Sequence, residues 1–193
     1  MKKKKKMRLL CPCCQRSVDH VKLELVGSLF PHEGFISVVG KAHLKSFMMM
    51  LSKYPSLYQW ACDDCINNKR AILAIPKRQY YTFNNPWDSA FPFLAYFDKS
   101  FTCENCKQKA VFSKEEQQNW YEKLSFIVHS EPKNCRNCRK KIRKKNTLNT
   151  ALSELLKDGT PNEKDKLLRI AEIYKEMGKE DKMKQYLKAA NKK

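Results

Sequence analysis

The sequence predicts an α+β protein made of two small metal-closed modules followed by a short helical tail. Three observations predict it. Eight of the nine cysteines fall into four Cys-x-x-Cys pairs: Cys11/Cys14, Cys62/Cys65, Cys103/Cys106 and Cys135/Cys138. The apolar residues, 42% of the 193, come in short runs, which suits small cores stapled by metal better than one large core. The last third switches to leucines, isoleucines and tyrosines at helical spacing.

The cysteines carry the firmest chemistry. Two thiols at i and i+3 in a tight turn grip one tetrahedral ion, and a second pair completes a four-cysteine shell suited to zinc. In sequence order the sets are Cys11, Cys14, Cys62 and Cys65, then Cys103, Cys106, Cys135 and Cys138, so two zinc ions per chain are expected. Crossed pairing, with Cys11/Cys14 sharing an ion with Cys103/Cys106, fits the compact second set less well. Disulfides are the other use of nine cysteines, but i, i+3 spacing is poor for a bridge within the pair. An all-cysteine shell leaves the ion no open position, so the sites point away from catalysis. Cys13 is the odd thiol. It has no evident His or Asn partner, so a spare or surface cysteine is expected rather than a nucleophile.

No export signal is visible: Lys2 to Lys6 and Arg8 are followed only by Leu9 and Leu10 before Cys11. The stretch 35–51 is broken by Lys41, His43 and Lys45, so no membrane span and no membrane partner are expected. The expected setting is reducing and cytoplasmic. Formal charge is +19, and eight thiolates with two zinc dications would lower it only to +15. Such an excess favours anionic partners, nucleic acid first, although lysines also simply keep small proteins soluble.

Residues 1–8 read as a disordered basic tail. Residues 9–75 form the first module. Val21, Leu23 and Leu25 alternate with polar neighbours and predict a half-buried strand, and 35–39 predicts a second. Leu44, Phe47, Met48 and Leu51 have helical spacing, with the methionines at 48–50 read as gap-fillers. Cys62 and Cys65 lead into a short helix through Ile66 to Ile72, whose N-terminal N–H groups favour thiolates. Knuckle, hairpin and a helix carrying the last two ligands is a treble-clef layout. Residues 76–100 are an aromatic-rich connector in which Pro76, Pro86 and Pro92 exclude a long helix. Rings such as Tyr80, Phe93 and Tyr96, near Lys77 and Arg78, suit base stacking. Few cations lie among them, however, and core between the two modules is the expectation.

Residues 101–145 form the second module. Ser113 to Leu124 predicts a helix, with Ser113 as N-cap, Glu116 completing a capping box, and Trp120, Tyr121 and Leu124 as its apolar side. The marks Cys103-Glu-Asn-Cys106, Val111-Phe112-Ser113, Glu116-Gln117, Tyr121, Pro132 and Cys135-Arg-Asn-Cys138-Arg139 accumulate here. On them, residues 101–139 resemble the probable zinc-ribbon (treble-clef) domain family of mainly bacterial proteins. The resemblance implies four zinc ligands and no activity. The family usually has Gly where this chain has Lys107 and Ser125, and the first departure suggests a slightly different knuckle turn. Arg139, Lys140, Lys141, Arg143, Lys144 and Lys145 follow, six basic residues in seven, expected to ring a helix with only Ile142 inward. They are the candidate phosphate-binding residues.

Residues 146–193 form the helical tail. Leu148, Leu152, Leu155 and Leu156 mark one helix. A second is expected to start at Thr160, with Pro161 at N1 and Glu163 at N3, and to end at Gly178. Leu167, Ile170, Ala171, Tyr174 and Met177 form its apolar stripe. A third helix carries Met183, Leu187 and Ala190. Ala171, Tyr174, Gly178 and Ala190 resemble a single TPR unit, from which Met183 and Leu187 depart. One repeat cannot bury its own face, so it must pack on a neighbouring helix or another protein.

The sequence therefore predicts a non-catalytic zinc protein whose favoured partner is nucleic acid. The alternative is a protein–protein adaptor working through the TPR-like tail. An HNH-type nuclease is a remote third: Asp19-His20 and Asn67-Asn68-Lys69 echo its pattern, but Ile66 and the lack of a second metal ligand at helical spacing from His32, His43 or His129 do not.

Overall fold

The computed structural model describes residues 8–29, 51, 58–80, 92–128 and 130–192. Expectations for the basic tail up to residue 7, the strand at 35–39, the helix before Leu51 and the rings at 81–91 lie outside the described residues, as do those for His32, His43 and His129. The chain divides into two compact units, Met1–Lys133 and Asn134–Lys193. No described helix is long and apolar enough to cross a membrane.

In the first unit the strands are short and pair in twos, all antiparallel. Strand β1 (Leu9–Leu10) pairs with β2 (Ser17–Val18) across the first cysteine turn. A 3₁₀ turn, His20–Leu23, and the single-turn helix α1, Glu24–Gly27, follow. This replaces the strand that the alternation of Val21, Leu23 and Leu25 predicted. The Asp19 carboxylate accepts from Val21 N, and the Asp63 carboxylate, remote in sequence, accepts from Glu24 N and Leu25 N at 2.9 and 3.1 Å. Those caps satisfy N–H groups that a helix start leaves unpaired. Leu23 and Val26 are then fully buried while Val21 is 64% exposed, a spacing of three rather than two.

Helix α2 spans Asp63–Asn67. The helix predicted to run on through Ile72 stops here. Lys69 turns into the left-handed region (φ 55°), Lys69 N donates to Ile66 O, and Arg70 N donates to Cys65 O. That is a Schellman ending, with lysine where glycine usually stands. Ala71–Leu73 becomes β3 because β4, Ala95–Phe97, offers it a ladder. Strand β5 (Lys99–Thr102) pairs with β6 (Lys109–Phe112) around the second cysteine turn. Helix α3, Lys114–Gln118, starts at the predicted cap, with Glu116 N donating to Ser113 Oγ at 3.2 Å, and continues as a π-helical turn, Asn119–Lys123. Tyr121 is buried as predicted, but Leu124 is 55% exposed, since the π turn rotates it off the core face.

Two apolar clusters fill this unit. One joins Leu9, Val18, Leu23, Val26, Leu51, Trp60 and Ala71 to the first cysteines. The other gathers Ala74, Phe93, Tyr96, Phe112, Tyr121 and Val128. They meet along 93–97, where Leu94 and Ala95 serve the first cluster and Phe93 and Tyr96 the second. The described rings of the connector are therefore largely core. A polar seam runs between the clusters. The fully buried Gln117 donates from Nε2 to Phe97 O (2.6 Å) and Phe112 O (2.8 Å), and its Oε1 accepts from Gln59 Nε2 (3.0 Å).

The second unit is helical. Helix α4 runs unbroken from Arg136 to Leu155, α5 spans Lys164–Glu176 and α6 spans Glu180–Ala190. Helix α5 begins three residues later than the Thr160-Pro161 signal predicts. Glu163 is extended at the N-cap without a side-chain cap, its carboxylate paired instead with Lys166 at 2.7 Å. Its end is as predicted: Gly178 (φ 70°) and Lys179 donate back to Lys175 O and Tyr174 O, both hydrogen bonds of a Schellman motif. Leu167, Ile170, Ala171, Ile173 and Tyr174 are buried, and Tyr174 stacks on Tyr186 at 5.5 Å.

Candidate metal centres

The two cysteine turns share one backbone design. Cys11 N donates to Arg16 O and Gln15 N to Cys11 O; likewise Cys103 N donates to Gln108 O and Lys107 N to Cys103 O, all at 2.8–3.0 Å. The residue after each second cysteine is left-handed: Gln15 at φ 58° and Lys107 at φ 59°. Lys107 thus adopts the conformation a glycine would take at lower steric cost, so the departure from the usual glycine keeps the knuckle rather than reshaping it. Ser125, the other departure, sits at φ 52° just past the π turn.

The second pairs are also built alike. Cys62 and Cys135 are the extended N-cap residues of α2 and α4, and Cys65 and Cys138 lie in the first turns. Such a site presents backbone N–H groups and the positive end of the helix dipole to sulfur. Cys62 N donates to Cys11 Sγ at 3.3 Å, and Cys138 N to Cys135 Sγ at 3.5 Å.

Among the described residues, both predicted sets converge, with the four sulfurs of each within 4.8 Å of one another. In the first set Cys11–Cys65, Cys14–Cys62 and Cys62–Cys65 are separated by 4.0, 3.9 and 3.6 Å. A tetrahedron with metal–sulfur bonds of ~2.3 Å has edges of about 3.8 Å, and these three edges match it. Nothing here is disulfide-bonded. Burial pushes the Cys62 thiol up to about 11, and Cys65 is raised further by burial and by neighbouring sulfurs. Crowded thiols resist losing protons next to one another, and a dication relieves that cost. The chain therefore carries two four-cysteine zinc sites.

Cys13 lies outside both sets. It is half-buried against the first core, its Sγ 3.9 Å from Arg70 O, and burial raises its pKa. It packs rather than standing free on the surface.

Of the six candidate phosphate-binding residues, Lys140, Lys141, Arg143, Lys144 and Lys145 are exposed on α4, Arg139 is half-buried, and Lys144 pairs with Glu176 at 3.0 Å. Ile142 does not face inward: it is 39% exposed, because this stretch of α4 turns no face to the core. Asn68, one residue of the nuclease-like echo, donates from Nδ2 to Asp64 O at 2.7 Å. Sequence reasoning missed Asp63, whose carboxylate ties α1 to the metal-bearing α2. It also missed the left-handed role of Gln15 and Lys69, for which a turn signal without glycine leaves little trace.

Residues 97–147 match the model of the family described as a probable treble clef domain. No curated protein and no solved structure matches the chain.

Proposed function

We propose that this chain is a non-catalytic, cytoplasmic, two-zinc protein that binds nucleic acid through the basic run on α4. One observation carries the reading. Five of the six basic side chains at 139–145 are exposed on one helix that begins at a zinc ligand, in a chain of formal charge +19. Cations held on a rigid helix next to a metal-fixed turn suit a phosphate backbone, and each phosphate neutralised releases counterions. Treble clef domains often bind nucleic acid or proteins. The closed sulfur shells support a structural role for zinc, since neither offers a position for water or substrate.

A protein adaptor is the second reading. It is favoured by the helical hairpin of α5 and α6, which resembles one TPR unit and leaves Leu187 36% exposed. Salt separates the two readings. Replacing Arg139, Lys140, Arg143 and Lys144 with glutamine should flatten log affinity against log salt by about 0.9 per lost contact on duplex DNA, and ~0.7 on single strands. Losing the exposed Lys144–Glu176 pair should cost no more than about 1 kcal/mol, and the zinc content of the variant checks that replacing the half-buried Arg139 leaves the second site intact. A parent that binds no nucleic acid at low salt, or a quadruple variant that binds as well as the parent, would hand the function to the Tyr174 face.

A further inference from the structure

The first cysteine turn holds one thiol more than a four-cysteine shell uses. Its sequence, Cys11-Pro12-Cys13-Cys14-Gln15, lines up with Cys103-Glu104-Asn105-Cys106-Lys107 of the second turn. The two turns have the same backbone bonds and the same left-handed fifth residue. Asn105 therefore stands where the first turn has Cys13, and the second site is a matched comparison within one chain.

Cys13 is placed against the metal site. It packs on the cluster that contains Cys11, Cys62 and Cys65. Its Sγ lies 3.9 Å from Arg70 O, and Arg70 N donates to Cys65 O at 2.8 Å, so it rests on the backbone that closes α2 behind a ligand. The thiols of Cys13 and Cys65 also interact directly. Cys14 is the outermost sulfur of the shell: Cys11, Cys62 and Cys65 are buried, whereas Cys14 is half-buried and meets a competing donor first. The other three sulfurs, all within 4.8 Å of Cys14 Sγ, bound the vertex it would leave, and Cys13 borders that vertex from beside Cys65. Consecutive Cα atoms lie about 3.8 Å apart, so a slip of one residue along the turn carries the Cys13 sulfur to the place of Cys14. Zinc has a filled d shell with no directional preference and tolerates a passing fifth ligand.

We propose that Cys13 is a reserve ligand of the first zinc site, taking the place of Cys14 when that sulfur leaves the shell. Cys13 loses its thiol proton to solvent as its sulfur bonds the ion, and Cys14 leaves as a thiolate that water protonates. The exchange consumes no oxidant or reductant. The first site stays closed by four sulfurs, whereas the second opens when Cys106 leaves. This role is independent of any nucleic-acid binding.

The test counts ions in the full-length zinc-loaded protein by native mass spectrometry. Cys14→Ala should keep two zinc ions, and combining it with Cys13→Ala should leave one. Cys106→Ala, the matched change in the second site, should also leave one, because the amide of Asn105 is a poor zinc ligand. Alkylation gives a second readout: iodoacetamide should label Cys13 in the parent and spare it in Cys14→Ala, where zinc covers it. Loss of an ion from Cys14→Ala, or equal labelling of Cys13 in parent and variant, would overturn the reserve-ligand role. Two ions in the Cys13→Ala, Cys14→Ala protein or in Cys106→Ala would overturn it too, since three sulfurs would then suffice.

Discussion

Gln117→Leu isolates the polar seam between the two clusters of the first unit. The replacement is close in volume, so little cavity is created, and the site is fully buried. It removes two N–H donors, from Phe97 O at the end of β4 and Phe112 O at the end of β6, and the acceptor of Gln59 Nε2. A net loss of about 1 kcal/mol per hydrogen bond, weighted upward where a buried partner is left orphaned, gives roughly 3 kcal/mol. At about 2–4 °C per kcal/mol for a chain of this size, melting should fall by roughly 6–12 °C. Scanning calorimetry in zinc-buffered solution reads it, with metal content checked at two ions per chain, because zinc loss would confound a two-state reading. Gln117→Glu should fall further: a carboxylate has no N–H for the two carbonyls and faces their oxygens directly. A Gln117→Leu protein melting within about 2 °C of the parent would refute the claim that this amide ties β4, β6 and the Gln59 segment together.

Native mass spectrometry should find two zinc ions per chain. Cys135→Ser should lose one of them and the structure of the second site, since structural zinc contributes on the order of 10 kcal/mol to a small domain, while Cys13→Ser should keep both ions. Replacing Lys107 or Ser125 with glycine relieves a left-handed side chain at the cost of a freer unfolded backbone. Each should raise the melting temperature by a few degrees, about 0.5–1 kcal/mol, and a decrease at both would show that these side chains make contacts outweighing their strain.

Much of the metal chemistry was legible in one dimension. A Cys-x-x-Cys turn brings its two sulfurs together through local backbone geometry, so spacing picked out the four pairs, and taking them in sequence order gave the two sets that converge. The Ser113 cap, the Gly178 stop and the stripe from Leu167 to Tyr174 were legible for the same reason: a helix is held by contacts within four residues. Failures came where a remote group intervened. The alternation at 21–25 gave way to a helical turn because Asp63, nearly 40 residues on, caps it. Ala71 and Ile72 left their predicted helix because β4 supplied a ladder. Gln117 was visible only as a mark of resemblance, and its reason is three partners drawn from three other segments. Lys107 and Ser125 looked like departures, and only their backbone angles show that they keep a glycine's conformation without the glycine. Tyr80 and Phe126, both exposed, were likewise indistinguishable from core rings in the sequence. Aromatic composition says how much apolar surface a segment carries, but which rings are left facing water depends on how distant segments cover one another, and that is decided in three dimensions.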